Sequence, residues 1–212
     1  MNIYLVRHSK TKWNEQKRLQ GHKDSPLTQE GMDNAYALKK YIDENNIQFD
    51  AIYSSPLNRA YTTAKVVAGK QDIKIDNRLK EMNFGDYEGQ YISQLLAMNP
   101  SYYDMMWNNP SEFTCLPNGE SYEDVLKRID DFFNEITNSN AHNILIVTHG
   151  MYMILILAYI LKLEKKDFTR INRNVAEGCS LNLISYEHNE YKIIYTDKKD
   201  FLPHISKIHF NK

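Results

Sequence analysis

Cysteine is scarce in this chain: Cys115 and Cys179 are the two present in 212 residues. They allow at most one disulfide and form no C-x-x-C spacing, which excludes a disulfide-stapled scaffold and fits reduced, packed thiols in a cytosolic protein. Charge of one sign is missing too, since 26 Lys and Arg face 27 Asp and Glu for a formal charge of -1. With no global field, nucleic acid and anionic membranes are not expected partners, and any attraction for an anion has to be local. Long apolar runs are absent: the most apolar segment, Met151 to Leu161, falls short of the roughly 20 residues needed to cross a bilayer. The N-terminal stretch lacks the basic region, apolar core and small-residue cleavage site of a signal peptide. The expected protein is cytoplasmic.

Strand-like and helix-like segments alternate along what is there. Ile3 to Val6 is a short β-branched and aromatic run that ends on Arg7 and His8, as a buried strand would when delivering its end to a site. Thr28 marks a helix start, with Ala35, Leu38 and Ile42 on one face. Phe49 to Tyr53 predicts a second strand, "SSPLNRAYTTAKVVAG" a turn and helix closed by Gly69, and Ile73 to Ile75 a third strand. Ser121 opens a helix with Asp124 as its third residue and Val125, Ile129, Phe132, Phe133 and Ile136 on one face. "NILIVT", Asn143 to Thr148, is the clearest strand, "MYMILILAYIL" after it an apolar core helix, and Leu181 to Ser185 with Tyr191 to Thr196 a hairpin around "YEHNEY".

The alternation predicts a three-layer α/β/α sandwich with a mainly parallel central sheet, in one domain over 1–212. The stretch from about 83 to 139 holds only helical or irregular candidates and is expected to lie over one sheet end as a partial lid. Ligands of such sheets collect beyond the C-terminal ends of the strands. Three predicted strands end there on polar groups: Arg7 and His8, Ser54 and Ser55 leading to Arg59, and Thr148 to Gly150.

Two arginines and two histidines on one crevice make a local positive potential that calls for an anion. A phosphoryl group fits, because planar guanidinium groups bond its oxygens in pairs and stay charged. Gly150 at a helix start offers backbone N–H groups to the same anion, and Asn14 and Gln20 offer amides from a loop or else cap that loop. A neutral histidine whose other nitrogen donates to a carbonyl is able to attack phosphorus. The leaving oxygen then needs a proton, for which Glu81 in "RLKEMNFGDYEGQ" is the candidate, with Asp86, Glu88 and Glu120 as alternatives at the same mouth.

The blocks "LVRHSKTKWN", "QGHKDSPLTQEG", "IYSSPLNRAYTTA", "LKEMNFGDYEG", "PNGESYEDVLKR" and "ILIVTHG" together resemble the histidine phosphatase superfamily, in its phosphoglycerate mutase-like branch. The resemblance implies His8 as phosphorylated nucleophile, Arg7, Arg59 and His149 as phosphoryl-binding groups, and Glu81 as proton donor, with Asn14, Gln20, Gly21 and Gly150 around the pocket. It implies no metal and no cofactor, and a small phosphorylated metabolite as partner. The expected activity is hydrolysis of small phosphate monoesters through a phosphohistidine. The alternatives are a cofactor-dependent phosphoglycerate mutase and a phosphate-binding regulatory protein on the same fold.

Mutases of this branch are usually longer between the fourth and fifth blocks. Here "YYDMMWNNP" suggests an aromatic, apolar cap rather than a carboxylate clamp. Ser9 stands where the family usually has glycine, Lys10 where an acidic residue is frequent, and Ile154 where arginine is common. The tail hairpin or an exposed strand edge is able to pair subunits, so a homodimer is compatible with the sequence without being required by it.

Overall fold

The structure, a computed structural model, describes residues 1–172 and 175–205. In chain order it comprises β1 (Asn2–Arg7), α1 (Lys12–Glu15), α2 (Gln29–Glu44), β2 (Ala51–Ser54), α3 (Asn58–Ala68), β3 (Ile73–Ile75), α4 (Ile92–Met98), α5 (Pro100–Trp107), α6 (Tyr122–Thr137), β4 (Asn143–Thr148), α7 (Gly150–Ile160), β5 (Leu181–Glu187) and β6 (Glu190–Lys198). Local chemistry sets many of these limits. Thr28 accepts from the Gly31 amide to start α2, and Ser121 and Asp124 exchange hydrogen bonds in a capping box at the head of α6. Gly69, at φ 62°, ends α3 where a side chain would be strained. The β5–β6 turn is made by His188 and Asn189, both at positive φ, as the tight hairpin geometry matching strand twist demands.

The strands form one sheet in the order β3-β2-β4-β1-β5-β6. The β3, β2, β4 and β1 strands run parallel, while β5 pairs antiparallel with β1 and β6 with β5. The sheet is thus mixed, a parallel half carrying an antiparallel edge. Alternation along the buried strands divides the core in two. Ile3, Leu5, Ile144 and Ile146 face the layer of α6 and α7, whereas Val6, Ile52, Leu145 and Val147 face α2 and α3. Helix α7 lies in the first of these clusters and is buried nearly all round, Ile154 at 1% exposure included. No described helix is long and apolar enough to cross a membrane.

The segment expected to cap the sheet divides in two. Val125, Ile129, Phe132, Phe133 and Ile136 of α6 sit in the same cluster as β1 and β4, so α6 is a layer of the sandwich. The covering role falls to α4, α5 and the loops before and after them. Sequence periodicity shows that α6 has one apolar face, but not the surface on which that face lands.

Candidate active site

The register of the parallel strands builds the site. Arg7 pairs with Thr148 across β1 and β4, so the next residues, His8 and His149, leave the sheet side by side. Their ring centroids are 5.2 Å apart. The His8 amide donates to the Thr148 carbonyl at 2.8 Å, which holds the two strand ends together one residue past the ladder. Ser54 and Ser55 follow from β2, and Ser55 Oγ lies 2.8 Å from His149 Nε2.

His8 is 4% exposed and its Nδ1 is 2.7 Å from the Ser9 carbonyl. A carbonyl only accepts, so Nδ1 carries the proton and Nε2 is left with a lone pair. Arg59 Nε donates to that Nε2 at 3.2 Å. Burial holds the imidazole pKa well below its ordinary value, and Arg59 and then Arg7 push it further down against the opposing Ser9 hydrogen bond. His149 is also held well below, by burial first and then by Arg59, His8, Arg128 and Arg7. Both rings are neutral at physiological pH.

Arg59, 1% exposed, directs three further donors to the Gly21 carbonyl at 2.7 Å, the Lys23 carbonyl at 3.1 Å and Asp24 Oδ1 at 3.0 Å. Arg7 bonds the Ala176 carbonyl through Nη1 at 3.0 Å, and its buried Nε has no partner among the described residues. His149 Nδ1 is likewise buried without a partner among the described residues. Ser55 Oγ accepts from the Leu57 amide, and with its hydroxyl donating to His149 Nε2 the Nδ1 nitrogen carries the proton; unsatisfied donors of this kind are costly and uncommon. Clustered beside a basic nitrogen, they form a cradle for an anion.

Glu81, 6% exposed, accepts from Met82 N at 3.0 Å and from the first turn of α7, Met151 N at 3.1 Å and Tyr152 N at 2.8 Å. The α7 amides expected to meet the anion therefore hold Glu81 instead, helped by the positive end of the helix dipole. Oε2 has a single backbone partner and keeps a lone pair for a proton. The backbone of Glu81 is clamped as well: Arg128 of α6 donates to its carbonyl at 3.1 Å and to those of Arg78 and Lys80 at 2.6 Å, while Glu120 anchors Arg128 at 3.0 Å.

The crevice is lined at this end by Arg7, His8, Asn14, Gln20, Glu81 and Gly150, and elsewhere mostly by apolar side chains. Asn14 and Gln20 serve the loop as well as the wall. Asn14 Oδ1 takes both Thr11 donors, and Gln20 spans Thr11 Oγ1 and Ser25 Oγ. Arg59 and His149 are not among the lining residues and meet the site through His8, Arg59 by its Nε and His149 by its ring. Gly21 is not on the wall: an added Cβ would meet Glu88 Oε1 at 2.1 Å, and its carbonyl serves Arg59. At Gly150 a Cβ would lie 3.2 Å from Arg7 Nε, so glycine lets the arginine lie against the helix start.

Of the alternative acids, Glu88 is a buried staple whose carboxylate takes the His22, Lys23 and Phe84 amides. Glu120 pairs with Arg128, and Asp86 pairs with Asn118. Ser9 is 1% exposed with its hydroxyl beside the Cys179 thiol, away from the crevice, and its φ is not positive, so serine fits where glycine is usual. Sequence reading missed Arg128 and the stapling role of Glu88.

Comparison with known proteins agrees with this fold. A Hydrogenobacter thermophilus protein named putative phosphoserine phosphatase 2 is 32% identical over 199 residues, covering 92% of this chain and 95% of the relative. Probable phosphoglycerate mutase GpmB of Yersinia pestis is 30% identical over 194 residues, covering 90% and 87%. Among solved structures, Bacillus stearothermophilus YhfR superposes with a TM-score of 0.86 at 29% identity over 95% of this chain and 98% of that one. The Shigella flexneri alpha-ribazole phosphatase does so at 0.82 and 25% over 94% and 97%. A family model described as the histidine phosphatase superfamily (branch 1) matches residues 3–197, from the first central strand through nearly all of the last, and the chain belongs to that superfamily.

Proposed function

We propose that the enzyme hydrolyses small phosphate monoesters by two displacements at phosphorus, with His8 as the nucleophile. The observation that carries this reading is the 2.7 Å bond from His8 Nδ1 to the Ser9 carbonyl, which leaves Nε2 basic and aimed among cationic donors. In the first step Nε2 forms a bond to phosphorus while the bond from phosphorus to the ester oxygen breaks, and Glu81 gives its proton to the departing alkoxide. In the second, the ionised Glu81 takes a proton from water, whose oxygen bonds phosphorus as the N–P bond breaks. Arg7 and the buried donor on His149 bind the phosphoryl oxygens. Arg59 Nε, now on His8 Nε2, turns to an oxygen once phosphorus occupies that nitrogen.

Labelling with a phosphorylated substrate, stopped by alkaline denaturation because the N–P bond is acid-labile, is expected to place one phosphoryl group on His8. Absence of label in the wild type, or unchanged label in His8→Ala, would overturn the nucleophile. Glu81→Gln is expected to lose about 10²- to 10⁴-fold on alkyl phosphates and much less on esters whose leaving groups need no proton. Equal losses on both would remove Glu81 from the acid role. Product analysis separates hydrolysis from phosphoryl shuttling. Release of inorganic phosphate from 3-phosphoglycerate without the 2-isomer supports the phosphatase, and rapid isomerisation would support the mutase named among the relatives.

A further inference from the structure

We propose that the substrates are phosphate monoesters whose leaving group is an apolar, preferably aromatic, body ending in a second anion, and that Arg18 recognises that anion. This rests on the phosphatase reading and specifies it. Away from the phosphate end, the crevice wall is contributed largely by the cap: Phe84, Tyr87, Leu95, Tyr102, Met106 and Trp107 all line it. The crevice runs on from the phosphate end along these side chains, so a leaving group bound there lies against them. Such a wall rewards burial of a flat apolar body and gives nothing to a compact polar one.

Among the described residues, Arg18 is the one charged side chain lining the crevice outside the phosphate cluster. Its guanidinium lies over the rings of Trp13 at 4.8 Å and Tyr91 at 5.3 Å, and Nε donates to the Gly89 carbonyl. Its terminal nitrogens have no acceptor among the described residues. The contrast with other arginines is direct: Arg59, Arg78 and Arg128 have carboxylate oxygens at 3.0, 2.6 and 3.0 Å. A guanidinium held against two aromatic rings on the wall of an apolar crevice, with terminal nitrogens to spare, is preorganised for a carboxylate or a phosphate on the ligand. The sequence suggested an apolar cap without an anion clamp. Arg18, from the loop after α1 rather than from the cap, supplies the clamp.

Phenyl phosphate and 4-carboxyphenyl phosphate, assayed at one ionic strength, test this. Wild type is expected to favour the carboxylated ester in kcat/KM by about tenfold or more, the size of one charge-assisted contact. In Arg18→Gln that ratio should fall by about tenfold, chiefly through KM of the carboxylated ester, and Arg18→Lys should keep part of it. Any intrinsic difference in reactivity between the two esters cancels when variant and wild-type ratios are compared. An equal loss on both esters in Arg18→Gln would mean that the residue only holds the cap, and an unchanged ratio would mean that it meets no anion; either result overturns the proposal. Hydrolysis of both esters without preference in wild type sinks this inference alone. Failure to release phosphate from either ester, or from alkyl phosphates, sinks the phosphatase reading with it.

Discussion

Gly21 illustrates how a residue with no chemistry of its own sets the site. Its Cα packs so closely on Glu88 and the Met82 carbonyl that any side chain must displace one of them. The Glu88 staple joins the 22–23 loop to the 84–88 turn, and the Gly21 carbonyl orients Arg59. Gly21→Ala is therefore expected to cost about 1–3 kcal/mol, as overpacking of a tight interior does, with a lower urea midpoint and reduced phosphate affinity. The histidines make a second prediction at this scale. His8 and His149 resist protonation in the folded protein, whereas in the unfolded chain they take a proton near 6.5. Below that pH the unfolded state binds more protons, so stability falls as pH drops from about 6.5 toward the lower folded values. A Tm measured from pH 7.5 to 5 should decline, and replacing both rings by Asn should flatten the decline. The acid limb of kcat/KM should lie below 6.5 for the same reason.

Among the elements, α6 matters most beyond its own packing. Through Arg128 it grips the carbonyls of Arg78, Lys80 and Glu81, while the first turn of α7 grips the Glu81 carboxylate. The proposed acid is thus positioned by two helices as well as by the irregular segment that carries it. Arg128→Met, which keeps the apolar contact on Tyr152, should lower kcat on alkyl phosphates by about 10- to 100-fold, the cost of an ångström of misplacement. It should spare esters with good leaving groups. A uniform loss across leaving groups would show that Arg128 only stabilises the fold. Much at this scale was legible beforehand. Strand ends at Arg7, Ser54 and Thr148 were readable because apolar runs stop abruptly on polar groups, and helix starts at Thr28 and Ser121 because capping is local. The clamp was not, since one basic residue on an amphipathic helix reads as surface charge until the opposing carbonyls are known.

For the molecule as a whole, the family and layer order followed from six ordered blocks and the alternation of strands with helices. The antiparallel edge was foreshadowed by the tail hairpin, but strand order was not, because register and adjacency depend on contacts between distant segments. The buried unsatisfied donors on Arg7 and His149 carry a whole-molecule consequence. An anion that binds them only in the folded state should raise stability by about 2.7 kcal/mol at a hundred times its dissociation constant. Inorganic phosphate is expected to raise Tm in proportion to the logarithm of its concentration, and Arg7→Gln should abolish most of the rise. No rise in wild type would contradict a preformed phosphate cradle.

The placement of β1 between β4 and β5 has a further effect during synthesis. This strand leaves the ribosome well before either of its partners, so a growing chain carries an unpaired central strand until β4 and β5 have followed. Closing so long a loop is slow and leaves apolar edges exposed in the interval. The two histidines meet only when that closure is made. Catalytic competence therefore reports the completion of the sheet's middle, and partial chains ending before β4 should be both inactive and dependent on holdase chaperones.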